Sequence, residues 1–236
     1  MQIISFKSEH HFDVYRPPSA EPDSALLIRL VAMLEQGSGA IVVISNKPDT
    51  EVNGLCAQLE HSFIACGQQP SDLRVLDLLT STNNRSTLSV DLLHGTPLQI
   101  AERFKLMYQT WLRLFSSCPG RQPAPCAVAG ALSDLLTAPW AWSVLASHDL
   151  GAFRYFLQQT GFPYLAQLQA IFNTVLDQPC LRARLFAPDG DLPALSYSNL
   201  IKCRDLFLLV LPPASYTGAG RVLSAALDLD LRGVLP

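Results

Sequence analysis

An unbroken apolar run that ends in a polar turn constrains the fold of this chain more than any other feature. The run Ala40 to Ile44 leads directly into the turn Ser45 to Asp49. A continuous β-branched run suits a parallel strand covered on both faces, because a strand with one wet face alternates polar and apolar residues. The carboxyl ends of such strands form the rim where α/β proteins bind ligands. The sequence therefore predicts an α/β sheet with Asn46, Lys47 and Asp49 as candidate residues for binding a ligand or partner.

Other segments follow the order of a crossover α/β sheet. A short strand at Ile3 to Phe6 and a proline-rich connector precede a helix through Ala25 to Leu34. After the first long strand, Asp49 to Ala65 has the pattern of a helix, and Leu73 to Leu79 is a second apolar strand. The order helix, strand, helix, strand is typical of parallel strands joined by crossover connections.

From Pro97 onward the pattern becomes helical. Apolar residues recur every three to four positions from Ile100 to Phe115, which predicts an amphipathic helix of about four turns. Shorter helical segments, separated by prolines, continue to about Leu181. A further apolar strand, Leu206 to Leu211, then precedes a final helix from about Gly218 to Leu231.

We therefore expect an α/β fold, in which a mostly parallel sheet with flanking helices carries an inserted all-helical subdomain. The predicted sheet domain comprises residues 1–96 and 186–236, and the predicted helical domain comprises residues 97–185. The length of 236 residues and the hydrophobic content of 49% are sufficient to bury a full core.

The sequence contains no phosphate-binding loop. Such a loop places a lysine between a glycine and a serine or threonine, so that backbone amides and the ammonium group hold the phosphates. The lysines of this chain are Lys7, Lys47, Lys105 and Lys202, and none follows a glycine. We predict no cofactor and assign no catalytic residue.

Cysteine and histidine spacing predicts no metal site. No two of the six cysteines are separated by two residues. His10 and His11 are neighbours in an extended segment, so their side chains point to opposite sides. We interpret the cysteines as reduced thiols of a cytosolic protein.

Apolar segments predict neither a signal peptide nor a membrane span. The N-terminal segment lacks a basic leader, and the longest apolar runs fall far short of the roughly 20 residues that a span requires. We expect a cytoplasmic protein, with the inner face of the membrane reached only through partners.

The number and sign of the charged residues indicate which kind of partner to expect. Charged residues are 16% of the chain, below the roughly 25% of typical soluble domains, so we expect a partner to cover part of the surface. A net charge of −3 supplies no general field for steering toward nucleic acid. Arg154, Arg182 and Arg184 are the candidates for a local electropositive spot, which keeps nucleic acid as a secondary alternative to a protein partner.

Aromatic residues are concentrated in the helical block. Packing in a helical core would explain them without any function. Trp140 and Trp142, however, stand beside Pro139, and tryptophans dominate the energetics of many interfaces. Core packing is the first interpretation, and these two residues are candidates for binding a partner as the alternative.

Three blocks occur in an order found in a known family. Leu26 to Asp49 reads as a helix and a strand that ends in Asn46-Lys47-Pro48-Asp49. Leu73 to Leu93 reads as a strand followed by Asn83-Asn84-Arg85-Ser86 and Val90-Asp91-Leu92-Leu93, and Ser196 to Val210 leads into Leu211-Pro212-Pro213-Ala214. Together the blocks resemble the TraD/TraG-like family, the coupling ATPases of conjugation and type IV secretion. The corresponding turns of that family are similar to Pro-Lys-Gly-Asp, Asn-Pro-Leu and Leu-Pro-Pro.

The resemblance implies a cargo-binding role for residues 97–185, because the family's all-alpha domain at this place engages transferred DNA or protein. It also implies a phosphate loop before Ala25, where Tyr15 to Ser24 instead holds three prolines and two acidic residues. The family's magnesium-binding strand end would lie beyond Pro236. The sheet domain is thus expected to be a degenerate, catalytically silent relative of a nucleotide-binding domain.

The leading hypothesis is a non-catalytic, coupling-protein-like module that binds cargo or machinery partners in a conjugative DNA-transfer or type IV secretion apparatus. One alternative is a stand-alone α/β enzyme or nucleotide binder, with its site at the strand ends near Ser45 to Asp49 and Pro212 to Tyr216. Another is a structural adaptor subunit. Adjacent parallel strands near Ile41, Leu76 and Leu208 would favour the comparison with coupling proteins.

Overall fold

Two compact units make up the described part of the chain. The computed structural model describes residues 2–8, 11–15, 28, 32, 41–45, 57–61, 64, 65, 67, 73–78, 88–115, 122–185, 206–211 and 218–232. One unit combines Met1–Leu88 with Leu195–Ser215, and the other combines Ser89–Ala194 with Tyr216–Pro236. Each unit is therefore assembled from two separate segments of the chain.

A five-stranded sheet forms the first unit. Its strands are β1 (Gln2–Ser8), β2 (His11–Tyr15), β3 (Ile41–Ser45), β4 (Leu73–Asp77) and β5 (Leu206–Val210). They lie in the order β2-β1-β3-β5-β4, with β3, β5 and β4 mutually parallel. The strands near Ile41, Leu208 and Leu76 are thus parallel neighbours in an α/β arrangement.

β5 is the central strand of the parallel part, and its sequence explains its place. Phe207, Leu208, Leu209 and Val210 are all buried, as expected for a strand that is covered on both faces. Val210 lies in register with Ser45 of β3 and with Asp77 of β4. The carboxyl ends of the three strands therefore reach the same edge of the sheet.

The antiparallel half of the sheet was not predicted. β1 pairs antiparallel with β2 and with β3, so the parallel arrangement covers three of the five strands. The strand expected in this region was Ile3 to Phe6 alone, with His10 and His11 in an extended segment. The alternation of polar and apolar residues in β2, read as HFDVY, has the period of a strand. Five residues are too few for that signal to dominate.

Helices form the second unit. They are α1 (Pro97–Phe115), α2 (Pro125–Leu136), a 3₁₀ turn (Pro139–Ala141), α3 (Trp142–Ala146), α4 (Leu150–Gln159), α5 (Leu165–Leu176), α6 (Pro179–Leu185) and α7 (Ala219–Arg232). α1 packs against α2, α5 and α7, so it is the central element of the unit. Its buried residues include Ile100, Phe104 and Met107, which recur at helical spacing.

The last helix, α7, belongs to the helical unit. The helix was predicted to belong to the sheet domain, but α7 packs against α1 and α5. Its buried residues include Val222, Leu223, Ala226 and Leu227. An amphipathic pattern shows which face of a helix is covered, but it does not show which element covers that face.

The described residues cover only parts of the two helices predicted in the sheet segments. Of the helix expected at Ala25 to Leu34, residues 28 and 32 are described and helical, and residues 57–61, 64 and 65 are helical within the second predicted helix. Within the described ranges, no helix has both the length and the apolar character that crossing a membrane requires.

A reciprocal cap fixes the start of α1. The Gln99 backbone amide donates to Thr96 Oγ1 at 3.3 Å, and the Thr96 backbone amide donates to Gln99 Oε1 at 2.9 Å. This is a capping box, which satisfies two amides that helix geometry leaves without carbonyl partners. Gly95 precedes the box with a φ of 99°, a conformation that favours glycine.

We expect Thr96→Ala to lower the free energy of unfolding of the helical unit by about 1 kcal/mol, because alanine cannot accept the first-turn amide. Thr96→Ser, which keeps the hydroxyl, should stay within about 0.5 kcal/mol of the parent protein. Urea titration followed by tryptophan fluorescence measures both changes, since Trp111, Trp140 and Trp142 all lie in this unit. Equal losses for the two variants would contradict the role of the hydroxyl.

Candidate functional site

Five aromatic rings form a continuous series of contacts in the helical unit, which we call the aromatic chain. Phe104 of α1 stacks on Phe153 of α4 at 5.7 Å between ring centroids and meets Phe172 of α5 edge-on at 5.5 Å. Phe153 contacts Phe156 at 6.4 Å, and Phe156 contacts Trp140 at 5.3 Å. The chain therefore joins α1, α4, α5 and the 3₁₀ turn.

The aromatic chain runs from the core to the surface. Phe104, Phe153 and Phe172 are buried, whereas Trp140 is 55% exposed. Trp142, the first residue of α3, is 68% exposed, and Tyr155, next to Phe156 on α4, is 62% exposed. We call Trp140, Trp142 and Tyr155 the exposed aromatic group.

Exposure distinguishes Trp111 from the two candidate tryptophans. Trp111 fits the core interpretation, because it is half-buried and its Nε1 donates to Thr174 Oγ1 at 2.9 Å. Trp140 and Trp142 do not fit it, since most of each residue faces solvent. Tryptophan is a residue type enriched at surfaces that another protein covers.

The arginines proposed as an electropositive spot have different surroundings. The Arg154 guanidinium carbon lies 5.5 Å from the Phe172 ring centroid, a cation–π contact at the far end of the aromatic chain from Trp140. Arg182 of α6 is exposed. Arg184 also lies in α6, but its side chain is outside what the structure describes.

The turn after β3 holds the three residues predicted to bind a ligand or partner. Asn46, Lys47 and Asp49 lie outside the described residues, as does the predicted strand-end segment Pro212 to Tyr216. Asp77 is described at the same sheet edge, where it is buried at the end of β4 in register with Val210. Asp77 was not singled out from the sequence, because the predicted strand Leu73 to Leu79 extends past it.

A carboxylate–imidazole pair links two segments that are far apart in sequence. His148 Nδ1 lies 2.6 Å from Asp91 Oδ2, and the side chain of His148 is 50% exposed while that of Asp91 is 15% exposed. The other carboxylate oxygen, Oδ1, accepts the Leu93 backbone amide at 2.9 Å. Asp91 is thus held by a hydrogen bond at each carboxylate oxygen.

Arg103 holds the loop that carries Asp91. It is the largest fully buried side chain among the described residues, and its Nη1 donates to the His94 carbonyl with the Leu92 carbonyl 3.5 Å away. Arg103 lies on the buried face of α1, three residues after Ile100. That spacing could have identified it from the sequence as a buried cation, whereas the contact of Asp91 with His148 has no local signal.

Two further ionisable groups of α1 are shifted by their surroundings. The hydrogen bond to Glu102 raises the pKa of Lys105, with a distance of 2.8 Å from Nζ to Oε2. Burial raises the pKa of the Tyr108 hydroxyl. Lys105 is therefore a paired cation near neutral pH, and Tyr108 stays protonated there.

The described part of the chain contains no cluster of side chains suited to binding a metal ion. Across the described ranges, no three His, Cys, Asp or Glu side chains are grouped so as to hold an ion. Comparisons of the chain with protein-family models, with curated proteins and with solved structures find no match.

Proposed function

We propose that this protein is a catalytically silent module, similar to coupling proteins, that binds protein cargo or machinery components of a conjugative DNA-transfer or type IV secretion apparatus. The exposed aromatic group carries this proposal, since exposed tryptophan and tyrosine side chains are the residue types that dominate binding energy in many protein interfaces. In the proposed organisation, helices inserted between β4 and β5 bind the partner, and the sheet serves as the scaffold.

The strand arrangement supports the coupling-protein part of the proposal. The three segments that resemble the family contribute β3, β4 and β5, and these strands are parallel neighbours with β5 between the other two. Helices α1 to α6 occupy the chain between β4 and β5, where the resemblance places the all-alpha cargo domain. Proteins with unrelated functions share such arrangements of strands and helices. Binding to the partner therefore has to be measured directly.

The surface chemistry supports binding to a protein. Trp140 rests on Phe156, which is itself buried against Phe153. A side chain supported from below in this way loses little conformational freedom when a partner covers its outer face. Trp142 and Tyr155 add apolar area with polar edges, a combination that is enriched in protein interfaces.

A nucleotide-binding measurement tests whether the protein is catalytically silent. Calorimetric titration of the full chain with ATP and Mg²⁺ should give no binding heat, because the sequence supplies neither the glycine-flanked lysine nor a matching amide loop. Micromolar affinity accompanied by turnover would contradict the proposal and favour the alternative of an α/β enzyme with its site at the strand ends.

We expect Trp140→Ala and Trp142→Ala each to weaken partner binding by about 30-fold, which corresponds to about 2 kcal/mol for an aromatic anchor. The binding partners are purified cargo proteins and cytoplasmic components of such an apparatus, immobilised one at a time and measured by surface plasmon resonance. The melting temperature of each variant is recorded in parallel by circular dichroism.

Leu98→Ala is the matched control, because Leu98 is also a large exposed apolar residue, 62% exposed, but lies in the first turn of α1. Its affinity should stay within about twofold of the parent protein, as for surface residues outside a hot spot. If the tryptophan variants lose stability and binding together, both residues belong to the core. If they lose neither, the exposed aromatic group does not bind the partner.

A further inference from the structure

Lysine and arginine residues are unevenly distributed over the helical unit. Residues 122–153, which contain α2, the 3₁₀ turn, α3 and the start of α4, include no lysine or arginine. The formal charges of this stretch are the carboxylates of Asp134 and Asp149, and both residues are exposed. A stretch with carboxylates and no cations of its own has a negative local potential, which attracts positively charged groups.

Two cations on neighbouring elements already have partners within the unit. The Arg154 guanidinium carbon lies 5.5 Å from the Phe172 ring centroid, and Arg154 is half-buried. Lys105 lies on α1, which packs against α2, and its Nζ is 2.8 Å from Oε2 of Glu102. Both positive charges are therefore engaged with side chains other than the two exposed carboxylates.

Asp134 contributes more to the negative potential than Asp149 does. It lies in the last turn of α2, which holds no basic residue, so the partial negative charge of the helix C-terminus adds to the carboxylate. Asp149 instead caps α4, and its Oδ1 accepts two backbone amides, so the helix N-terminus compensates part of its charge. Because α2 contacts the 3₁₀ turn, Asp134 and Trp140 lie on adjoining elements.

Trp140 offers an aromatic ring to a cation from outside. Its ring contacts Phe156 at 5.3 Å between centroids, and the residue is 55% exposed. Tyr155, the neighbour of Phe156 on α4, is 62% exposed. The face of an aromatic ring attracts cations, and tryptophan does so most strongly. Exposed aromatic rings in a negative potential favour a cationic ligand over an anionic one.

We propose that the exposed aromatic group binds a segment of the protein partner that carries arginine or lysine side chains. Trp140 contacts the cation through its ring face, and Asp134 attracts it electrostatically. This inference rests on the proposed function, because it specifies the chemistry of the protein partner for the same residues. Nucleic acid is disfavoured at these residues, since its phosphates would meet carboxylates and no cation.

A pair of synthetic peptides isolates the effect of charge. One is an arginine–glycine repeat with blocked ends, and the other has citrulline, a neutral side chain of nearly the same shape, at every arginine position. We expect the full chain to bind the arginine peptide about tenfold more tightly at low ionic strength, measured by calorimetric titration. Equal affinities would overturn this inference and leave the proposed function intact, since apolar packing on tryptophan requires no cation.

The three tryptophans allow the contact to be located by NMR. Trp111 is the internal control, because it is half-buried and its Nε1 donates to Thr174 Oγ1 at 2.9 Å. In the nitrogen-15-labelled full chain, the arginine peptide should move the indole N–H signal of Trp140 and leave that of Trp111 in place. An unmoved Trp140 signal, or equal movement of both signals, would overturn the inference.

Two substitutions separate the aromatic ring from its apolar area. Trp140→Leu keeps an apolar side chain but has no ring face, so it should weaken binding of the arginine peptide about fivefold. Trp140→Phe keeps a ring and should lose only about twofold. If the leucine variant binds the arginine peptide as tightly as the parent protein, the cation does not contact Trp140.

Asp134→Asn tests the electrostatic contribution and should weaken binding of the arginine peptide about threefold, with a smaller dependence on salt. Asp177→Asn is the matched control, because Asp177 is also exposed but is the C-cap of α5, which carries none of the exposed aromatic group. It should bind like the parent protein. Equal losses in the two variants would show that the peptide responds to net charge alone. Binding of the arginine peptide at Trp140 without binding of any apparatus component would refute the proposed function and retain the chemistry assigned to Trp140.

Discussion

Phe104→Ala should lower the free energy of unfolding of the helical unit by about 4 kcal/mol, the largest effect expected for a single substitution in this protein. Phe104 is fully buried on the central helix α1, and its ring touches both Phe153 and Phe172. Truncation removes the apolar area of the ring and leaves a cavity lined by two aromatic side chains that cannot both move in to fill it.

Urea unfolding monitored by tryptophan fluorescence measures this loss. Phe104→Leu is the matched control and should cost about 1 to 1.5 kcal/mol, because leucine refills much of the volume without the aromatic contacts. The fluorescence of Trp140 in the folded variant gives a second observation, since Trp140 is the exposed end of the same aromatic chain. A loss below about 1.5 kcal/mol for the alanine variant would show that the surrounding rings repack.

Arg103→Ala should cost about 3 kcal/mol, the second largest effect. The Arg103 guanidinium is buried and donates to the carbonyl of His94, close to that of Leu92. Removing a charged donor from a buried position leaves backbone carbonyls to be satisfied by water, and each such bond contributes about 1.5 to 3 kcal/mol. We also expect the loop that carries Asp91 to loosen, with faster amide hydrogen exchange at Leu93.

Arg103→Met and Arg103→Lys separate the contributions of packing and hydrogen bonding. Methionine retains most of the side-chain volume but offers no donor, so it should lose about 2 kcal/mol. Lysine retains a donor and a charge but lacks the planar fork, and we expect an intermediate loss of about 1.5 kcal/mol. If methionine is tolerated as well as arginine, Arg103 stabilises the unit by packing alone.

The sequence supported prediction of the parallel strands because their signal is local. β3, β4 and β5 are each apolar runs bounded by polar or turn residues, and the crossover pattern places such strands in one parallel sheet. The partners of amphipathic elements could not be predicted in the same way. The pattern of α7 fixed its buried face, but only the packing on α1 and α5 assigned it to the helical unit.

The candidate site residues also differ in whether a local sequence pattern could identify them. Composition and neighbouring prolines pointed to Trp140 and Trp142, while their exposure depends on how the 3₁₀ turn and α3 sit against α4. The contact of His148 with Asp91 was not predicted, because it joins residues that no local pattern connects. Arg103 could have been recognised, since it shares the apolar spacing of Ile100 and Met107 on α1.

The order in which the chain is synthesised has a consequence for how this protein matures. β5 sits between β3 and β4, and α7 covers α1 and α5, yet both elements emerge from the ribosome after all the segments they complete. A nascent chain that has reached residue 200 lacks the strand that joins β3 to β4 and the helix that shields α1. We expect such a chain to expose strand edges and apolar helix surface until the final segment appears, which makes it a client for chaperones during translation.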